Sequence, residues 1–207
     1  LELVKLEEPL GIERSLEGMK RLARILDNPV NTRSNLEFVV YDGKDVITRL
    51  TENSLPARKH MTDKMAASLD RLADSGKLDP ADRLLLHRGS VETFKLMEQP
   101  VPASLKHQIR VDVADALSAA DDDYQWIALT SESYGLLHDS GQDKEAKELL
   151  TQALKRDSNT HYWMLILAGM AKEEERKAEA VNLYRQAYEM SQGLATRLQW
   201  SSYYMDG

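Results

Sequence analysis

The stretch AKELLTQA at residues 146–153 recurs 34 residues later as AVNLYRQA at residues 180–187. In each copy two alanines flank a large side chain with spacings of four and three residues: Ala146, Leu150 and Ala153, then Ala180, Tyr184 and Ala187. Such spacings place the three side chains on one helix face. A period of 34 residues is typical of stacked helix-turn-helix units that bury their faces against one another. The sequence therefore predicts an all-α, right-handed solenoid that holds another molecule.

The composition indicates an ordinary globular protein with a preference for helix. Hydrophobic residues make up 42 % of the 207 residues and charged residues 29 %, with only 10 glycines and 6 prolines. The formal net charge of −7 argues against a general nucleic-acid binder. No apolar run approaches the roughly 18 residues of a membrane span. We therefore expect a soluble chain whose partner is basic or non-polar.

The absence of cysteine removes disulfides, a thiolate nucleophile and cysteine-ligated metals from consideration. It leaves the compartment open between cytoplasm and periplasm, since chains in either can lack cysteine. The sequence begins with Leu1 rather than Met and ends inside a helical pattern at residues 203–205. We interpret it as a processed or trimmed part of a longer protein.

Residues 1–56 differ from the rest and are predicted as an N-terminal α+β segment. Two runs rich in β-prone residues flank Asp42-Gly43, and glycine supplies the positive φ of a tight turn. This pattern predicts a β-hairpin over residues 36–50, preceded by a short helix that ends at Asn28-Pro29. Leu55-Pro56 then separates the segment from the remainder of the chain.

Residues 57–207 are predicted as one α-helical domain. A helix stop is expected at Gly76, and a helix start at Asp79-Pro80, where aspartate caps and proline occupies the first turn. Gly89-Ser90 is expected to interrupt that helix, and residues 99–102 with two prolines turn the chain. The turns between helices are short, as antiparallel helix pairs require.

From residue 124 onward the chain resembles the tetratricopeptide repeat family, with repeats at 127–160 and 161–194 and a partial repeat at 195–207. Small residues stand where the family brings two helices into contact: Ala146, Ala153, Ala168, Ala180 and Ala187. Tyr134 and Ser158 depart from the pattern, since the family usually has a small residue and often a proline there. An ordinary helical bundle with coincidental spacing is the alternative.

The resemblance implies a binding groove, because the family binds ligands along the concave face formed by the first helix of each repeat. On this sequence that groove comprises Ser131, Gly135, His138, Tyr162, Leu165, Ile166, Gly169, Lys172, Gln199, Trp200 and Tyr203. The two glycines would let a partner approach the backbone, and Trp and Tyr are typical interface anchors. A core role for the aromatic residues stays open. The Lys, Arg and Asn clamp with which some members hold a C-terminal carboxylate is absent.

No motif in the sequence indicates chemistry. The five histidines show no metal-ligand pairing, and His138 is expected to be solvated. Residues 121–123 lack the glycine and glutamate of a calcium loop and are interpreted as a helix start. There is no phosphate-binding loop, nucleophile elbow or dinucleotide fingerprint. We therefore predict no catalytic, cofactor-binding or metal-ligating residue.

The function predicted from the sequence is a protein–protein interaction or scaffold module that binds a peptide or helix of a partner in an apolar concave groove. The alternative is a helical accessory domain of a larger enzyme, redox protein or chaperone whose catalytic part lies outside these residues. Self-association through the final helix is a further option. A stand-alone enzyme would need polar residues that converge in a pocket.

Overall fold

The computed structural model describes residues 11–76, 78–156 and 160–190, and every regular element among them is an α-helix. The chain divides into two compact units. The first unit runs to Ala119 and includes Asp139–Gly141, and the second comprises Ala120–His138 and the residues from Gln142 onward. The helices are α1 (Ile12–Leu26), α2 (Pro29–Ser34), α3 (Leu36–Tyr41), α4 (Gly43–Leu50), α5 (Leu55–Asp74), α6 (Pro80–Leu96), α7 (Ala103–Ser118), α8 (Asp123–Asp139), α9 (Asp143–Arg156), α10 (Thr160–Glu173) and α11 (Lys177–Met190).

The β-hairpin predicted over residues 36–50 is wrong, because α3 and α4 occupy that stretch. The buried positions there follow helical spacing: Leu36, Val39 and Val40 in α3, and Val46, Ile47 and Leu50 in α4. Gly43 begins α4 and does not adopt the positive φ of a hairpin turn. Packing of these short helices against α6 outweighs the intrinsic preference of valine and isoleucine for strands.

The first unit has a hydrophobic core that α1, α3, α4, α5 and α6 share, so residues on both sides of Leu55-Pro56 belong to it. Helix α6 packs against α3, α4, α5 and α7. The expected interruption at Gly89-Ser90 is absent, since α6 is continuous there. A Cβ on Gly89 would lie 2.8 Å from Leu69 Cδ1 and 3.1 Å from Val40 Cγ2. The glycine therefore permits close approach of α6 to α5 and α3.

The expected helix stop at Gly76, the helix start at Asp79-Pro80 and the turn at residues 99–102 are confirmed. Gly76 follows α5 with φ of 86°, as a helix stop requires. The Asp79 carboxylate accepts a hydrogen bond from the Asp82 backbone N–H at 2.8 Å, and Pro80 occupies the first turn of α6. Residues 99–102 turn the chain between α6 and α7.

Helices α8 to α11 form two helix-turn-helix segments whose backbone geometry recurs at the 34-residue period. Helices α9 and α11 each have 14 residues and begin 34 positions apart. The turns before them hold Gly141 and Glu175, also 34 apart, at φ of 72° and 59°. The next residue in each turn donates its N–H to a carbonyl five residues earlier, from Gln142 to Leu137 at 2.9 Å and from Arg176 to Ala171 at 2.7 Å. The two turns thus end α8 and α10 in the same way.

The stretches at 146–153 and 180–187 supply buried positions in the second unit: Ala146, Leu150, Ala153, Ala180, Tyr184 and Ala187. Helix α10 packs against both α9 and α11. Ala168 and Ala171 of α10 meet Ala180 and Tyr184 of α11 in one apolar cluster. Small side chains at the contact permit close approach of the helices, and the tyrosine fills the remaining volume.

Candidate interaction surface

The predicted groove residues that the structure describes lie on α8 and α10. We call this surface the α8–α10 face; it consists of Ser131, Gly135, His138, Tyr162, Leu165, Ile166, Gly169 and Lys172. Ser131 Oγ lies 2.9 Å from Tyr162 Oη, and this hydrogen bond joins the two helices. The remaining members of the prediction, Gln199, Trp200 and Tyr203, lie outside the described residues.

Helix α10 presents open space and an exposed aromatic ring on the same face, about two turns apart. A Cβ built on Gly169 meets no atom within 4 Å. Tyr162 is 38 % exposed, and its ring contacts the buried Trp163 ring edge-to-face, with centroids 4.9 Å apart at 72°. Trp163 therefore holds Tyr162 at the surface by a geometry that aromatic pairs prefer. Leu165 is half-buried and packs on the Ala168 cluster, so it contributes to the core as well as to the face.

The other end of the face is fixed by His138. Its Nδ1 lies 2.8 Å from an oxygen of Asp143 at the start of α9, and its Nε2 lies 3.3 Å from an oxygen of Glu173 at the end of α10. Its ring also stacks on Tyr134 with centroids 6.0 Å apart. His138 thus links three helices instead of being simply solvated. Nowhere in the described ranges do three or more His, Cys, Asp or Glu residues form a group suited to a metal ion.

The sequence prediction of the groove missed Tyr124, which is 84 % exposed near the start of α8. Tyr124, Ala128 and Ser131 follow spacings of four and three residues, so the tyrosine lies on the same side of α8 as Ser131, two turns before it. That spacing is the signal in the sequence that could have identified it. The interpretation of residues 121–123 as a helix start is confirmed by the hydrogen bond from the Gln125 N–H to Asp122 Oδ1 at 2.7 Å.

Exposed carboxylates lie at both ends of this face. Asp121, Asp122 and Asp123 are exposed at the beginning of α8, and Glu173, Glu174 and Glu175 are exposed at the end of α10. Some already pair within the unit: Asp123 with Arg156 at 3.6 Å, Glu173 with His138, and Glu174 with Arg176. The apolar centre of the face is therefore flanked by an excess of negative charge.

The first unit contains two ion-pair networks along α6. Partly buried charged groups in contact are where an acid–base pair of catalytic residues would be expected, so both networks are described here. Asp112 contacts His87 Nε2 at 2.6 Å and Gln108 Nε2 at 3.1 Å. Burial opposes its ionisation, but the hydrogen bonds from His87 and Gln108, with the nearby charges, hold the pKa of Asp112 below its ordinary value. Arg83 Nε also lies 3.4 Å from Asp112, so this carboxylate is surrounded by groups that favour its charge, which is typical of a structural network.

The second network joins Asp139 to two cations of α6. Arg88 Nη1 donates to Asp139 at 2.8 Å, and Lys95 Nζ donates at 2.7 Å. Burial is the largest influence and opposes the charge on both Asp139 and Lys95. The hydrogen bond between them outweighs it only together with Arg88 beside Asp139 and Glu92 beside Lys95, so the pKa of Asp139 is lowered and that of Lys95 is raised. Lys95 also pairs with Glu92 at 2.9 Å. These contacts tie residue 139 to α6 within the first unit.

Each helix in the described part of the chain is too short or too polar to cross a lipid bilayer. Among the described residues of the second unit, the exposed large hydrophobic side chains are Tyr124, Tyr162 and Met190. Comparison of the chain with protein-family models, curated protein sequences and solved structures finds no match.

Proposed function

We propose that the second unit is a protein-interaction module that binds an amphipathic peptide segment or helix of a partner along the α8–α10 face. The observation that carries the proposal is the open space over Gly169 together with the exposed ring of Tyr162, about two turns away on the same face of α10. A helix surface without a side chain lets a partner backbone approach, and an immobilised tyrosine is a favourable anchor because little side-chain entropy remains to be lost.

The recurring backbone geometry supports a tetratricopeptide-like arrangement for this unit. The turns at Gly141 and Glu175 and the equal lengths of α9 and α11 all follow the 34-residue period. In such an arrangement the first helices of successive units lie side by side and form the concave face. The Ser131–Tyr162 hydrogen bond between α8 and α10 agrees with that order.

The charges favour a partner with basic residues on either side of its apolar anchors. Exposed carboxylates stand at the start of α8 and at the end of α10, and the chain as a whole carries a net charge of −7. Lysine or arginine at the ends of the bound segment would meet these carboxylates and speed association by electrostatic steering. A partner with acidic flanks would be repelled.

The first test selects binders from a library of displayed random 16-residue peptides against the full chain, and compares two variants of Gly169. Leucine at Gly169 fills the open space and is expected to weaken the selected peptides about tenfold or more, since overpacking of a contact costs about 1–3 kcal/mol. Alanine at the same position is expected to raise the free energy of unfolding by up to about 1 kcal/mol, because glycine is a poor helix former. Fluorescence anisotropy and urea denaturation measure the two effects.

Ala178→Leu is the matched control, since Ala178 is exposed on α11 away from the face. It introduces the same side chain into a helix and should leave peptide affinity unchanged. If Gly169→Leu bound the selected peptides as tightly as Gly169→Ala and Ala178→Leu do, the assignment of the α8–α10 face would be refuted. Selection of acidic peptides would refute the charge argument.

A second test replaces Tyr162, which is expected to act as an anchor. Tyr162→Ala should weaken the selected peptides about tenfold, within the range of interface hot spots, while far-UV circular dichroism stays unchanged. Tyr162→Phe keeps the ring and loses only the hydrogen bond to Ser131, so its affinity should fall less than that of the alanine variant. Loss of helical signal in Tyr162→Ala would instead assign this residue to the core.

A further inference from the structure

Helix α1 carries a charged stripe whose order of charges is complementary to itself. The stripe consists of four exposed residues at spacings of four, three and four, which lie on one helix face: Glu13, Glu17, Lys20 and Arg24. When two copies of α1 lie antiparallel and centred between residues 18 and 19, Glu13 of one copy is level with Arg24 of the other. Glu17 is then level with Lys20. A parallel arrangement would instead set like charges against each other.

Two exposed aliphatic side chains adjoin the charged stripe. Ile12 and Leu16 are 81 % and 50 % exposed. At 3.6 residues per turn, both lie between the stripe and the buried side chains of Leu22 and Leu26, which belong to the core of the first unit. In an antiparallel two-fold pair, Ile12 and Leu16 of both copies come to the same side of the contact and cover one another. The pair therefore removes apolar surface from water as well as matching charges.

We propose that the first unit self-associates through α1, which packs antiparallel against α1 of a second copy of this chain. A two-fold contact of this kind requires a surface that is complementary to itself, and the acidic-to-basic order along α1 provides one. The same order suits the dipole of the helix, yet the dipole gives no reason for Ile12 and Leu16 to be exposed beside the stripe. A second copy accounts for both features.

The contact is expected to be weak and reversible. One helix face is smaller than the interfaces of stable dimers, and each of the ion pairs between the two copies is exposed. Glu17 also pairs with Arg21 of its own helix at 3.1 Å, so part of its attraction is already used. The net charge of −7 repels a second copy, but physiological salt screens charges beyond about 8 Å. The matched charges at the contact therefore decide the association.

The test compares charge-reversed variants of the full chain by sedimentation equilibrium over a range of concentrations. The native chain is expected to dimerise with a dissociation constant below about 1 mM. Glu13→Lys with Glu17→Lys makes the whole stripe basic, and this variant is expected to raise the dissociation constant at least tenfold. Addition of Lys20→Glu and Arg24→Glu restores complementarity in the opposite order, so the four-residue variant should dimerise as the native chain does. Far-UV circular dichroism checks that each variant is folded.

Glu148→Lys with Glu189→Lys is the matched control, because both residues are exposed on helices of the second unit and the net charge changes equally. This control should not weaken the dimer. Ile12→Ser, at a position 81 % exposed, should weaken it without loss of helical signal. A chain that stays monomeric at about 1 mM would overturn the proposal.

Three further results would also overturn the self-association of α1. The first is an unchanged dissociation constant when Glu13 and Glu17 are replaced by lysine, because another surface would then join the copies. The second is a four-residue variant that remains monomeric, since the order of the charges would then not be what matters. The third is an unchanged dissociation constant in Ile12→Ser, because the aliphatic side chains would then lie outside the contact.

Discussion

Replacement of Trp163 by alanine is expected to lower the free energy of unfolding by about 3–5 kcal/mol, the range for removal of a large aromatic side chain from a core. Trp163 is fully buried in α10, and its ring supports Tyr162 through the edge-to-face contact at 4.9 Å. The substitution leaves a cavity, and it removes both the packing contacts of the buried indole ring and its edge-to-face contact with Tyr162. Urea denaturation followed by far-UV circular dichroism measures the loss.

Trp163→Phe is the control, because phenylalanine retains an aromatic edge against Tyr162 and most of the apolar volume. It should lose clearly less stability than the alanine variant and keep its affinity for the selected peptides. Under conditions where Trp163→Ala is still folded, that variant should bind them more weakly, since Tyr162 has lost its support. A stability loss below about 1 kcal/mol for the alanine variant would contradict the close packing of Trp163 within the second unit.

Helix signals that act over a few residues could be predicted from the sequence, whereas the structure of residues 36–50 could not. Gly76 and the Asp79-Pro80 pair mark helix ends by their own backbone chemistry, so no distant contact is needed to interpret them. Asp42-Gly43 has the same local appearance as a hairpin turn. The outcome there depends on burial against α6, which only the tertiary fold supplies. The helical spacing of the apolar residues was the better guide.

The candidate surface could be located from the sequence only in outline. The 34-residue spacing of Gly135 and Gly169 predicts which faces of α8 and α10 to consider, because periodicity indicates which side chains share a stripe. Contacts from other helices could not be inferred in this way. His138 pairs with carboxylates of α9 and α10. Leu165 packs against the apolar cluster of α10 and α11. Exposure of Tyr124 likewise depends on which surfaces the fold leaves uncovered.

Replacement of Asp112 by asparagine is expected to destabilise the chain by about 1.5–3 kcal/mol at pH 7, the range for hydrogen bonds to a charged group. The buried carboxylate accepts from His87 Nε2 at 2.6 Å and from Gln108 at 3.1 Å, and Arg83 Nε lies 3.4 Å away. An ionised carboxylate only accepts, so both neighbours donate to it. Asparagine keeps the shape but loses the charge. Urea denaturation between pH 7 and pH 2 measures the difference.

The sign of the pH dependence follows from the lowered pKa of Asp112 in the folded chain. Its stabilisation is fully present above the unfolded pKa of about 3.9 and is lost as the pH falls through the lower folded pKa. The stability difference between the native chain and Asp112→Asn should therefore shrink as the pH falls below about 4. Asp115→Asn is the control, because that exposed carboxylate lies 4.0 Å from Arg83 and contributes little. A difference that persists unchanged at pH 2 would show that shape, and not charge, makes Asp112 important to α6 and α7.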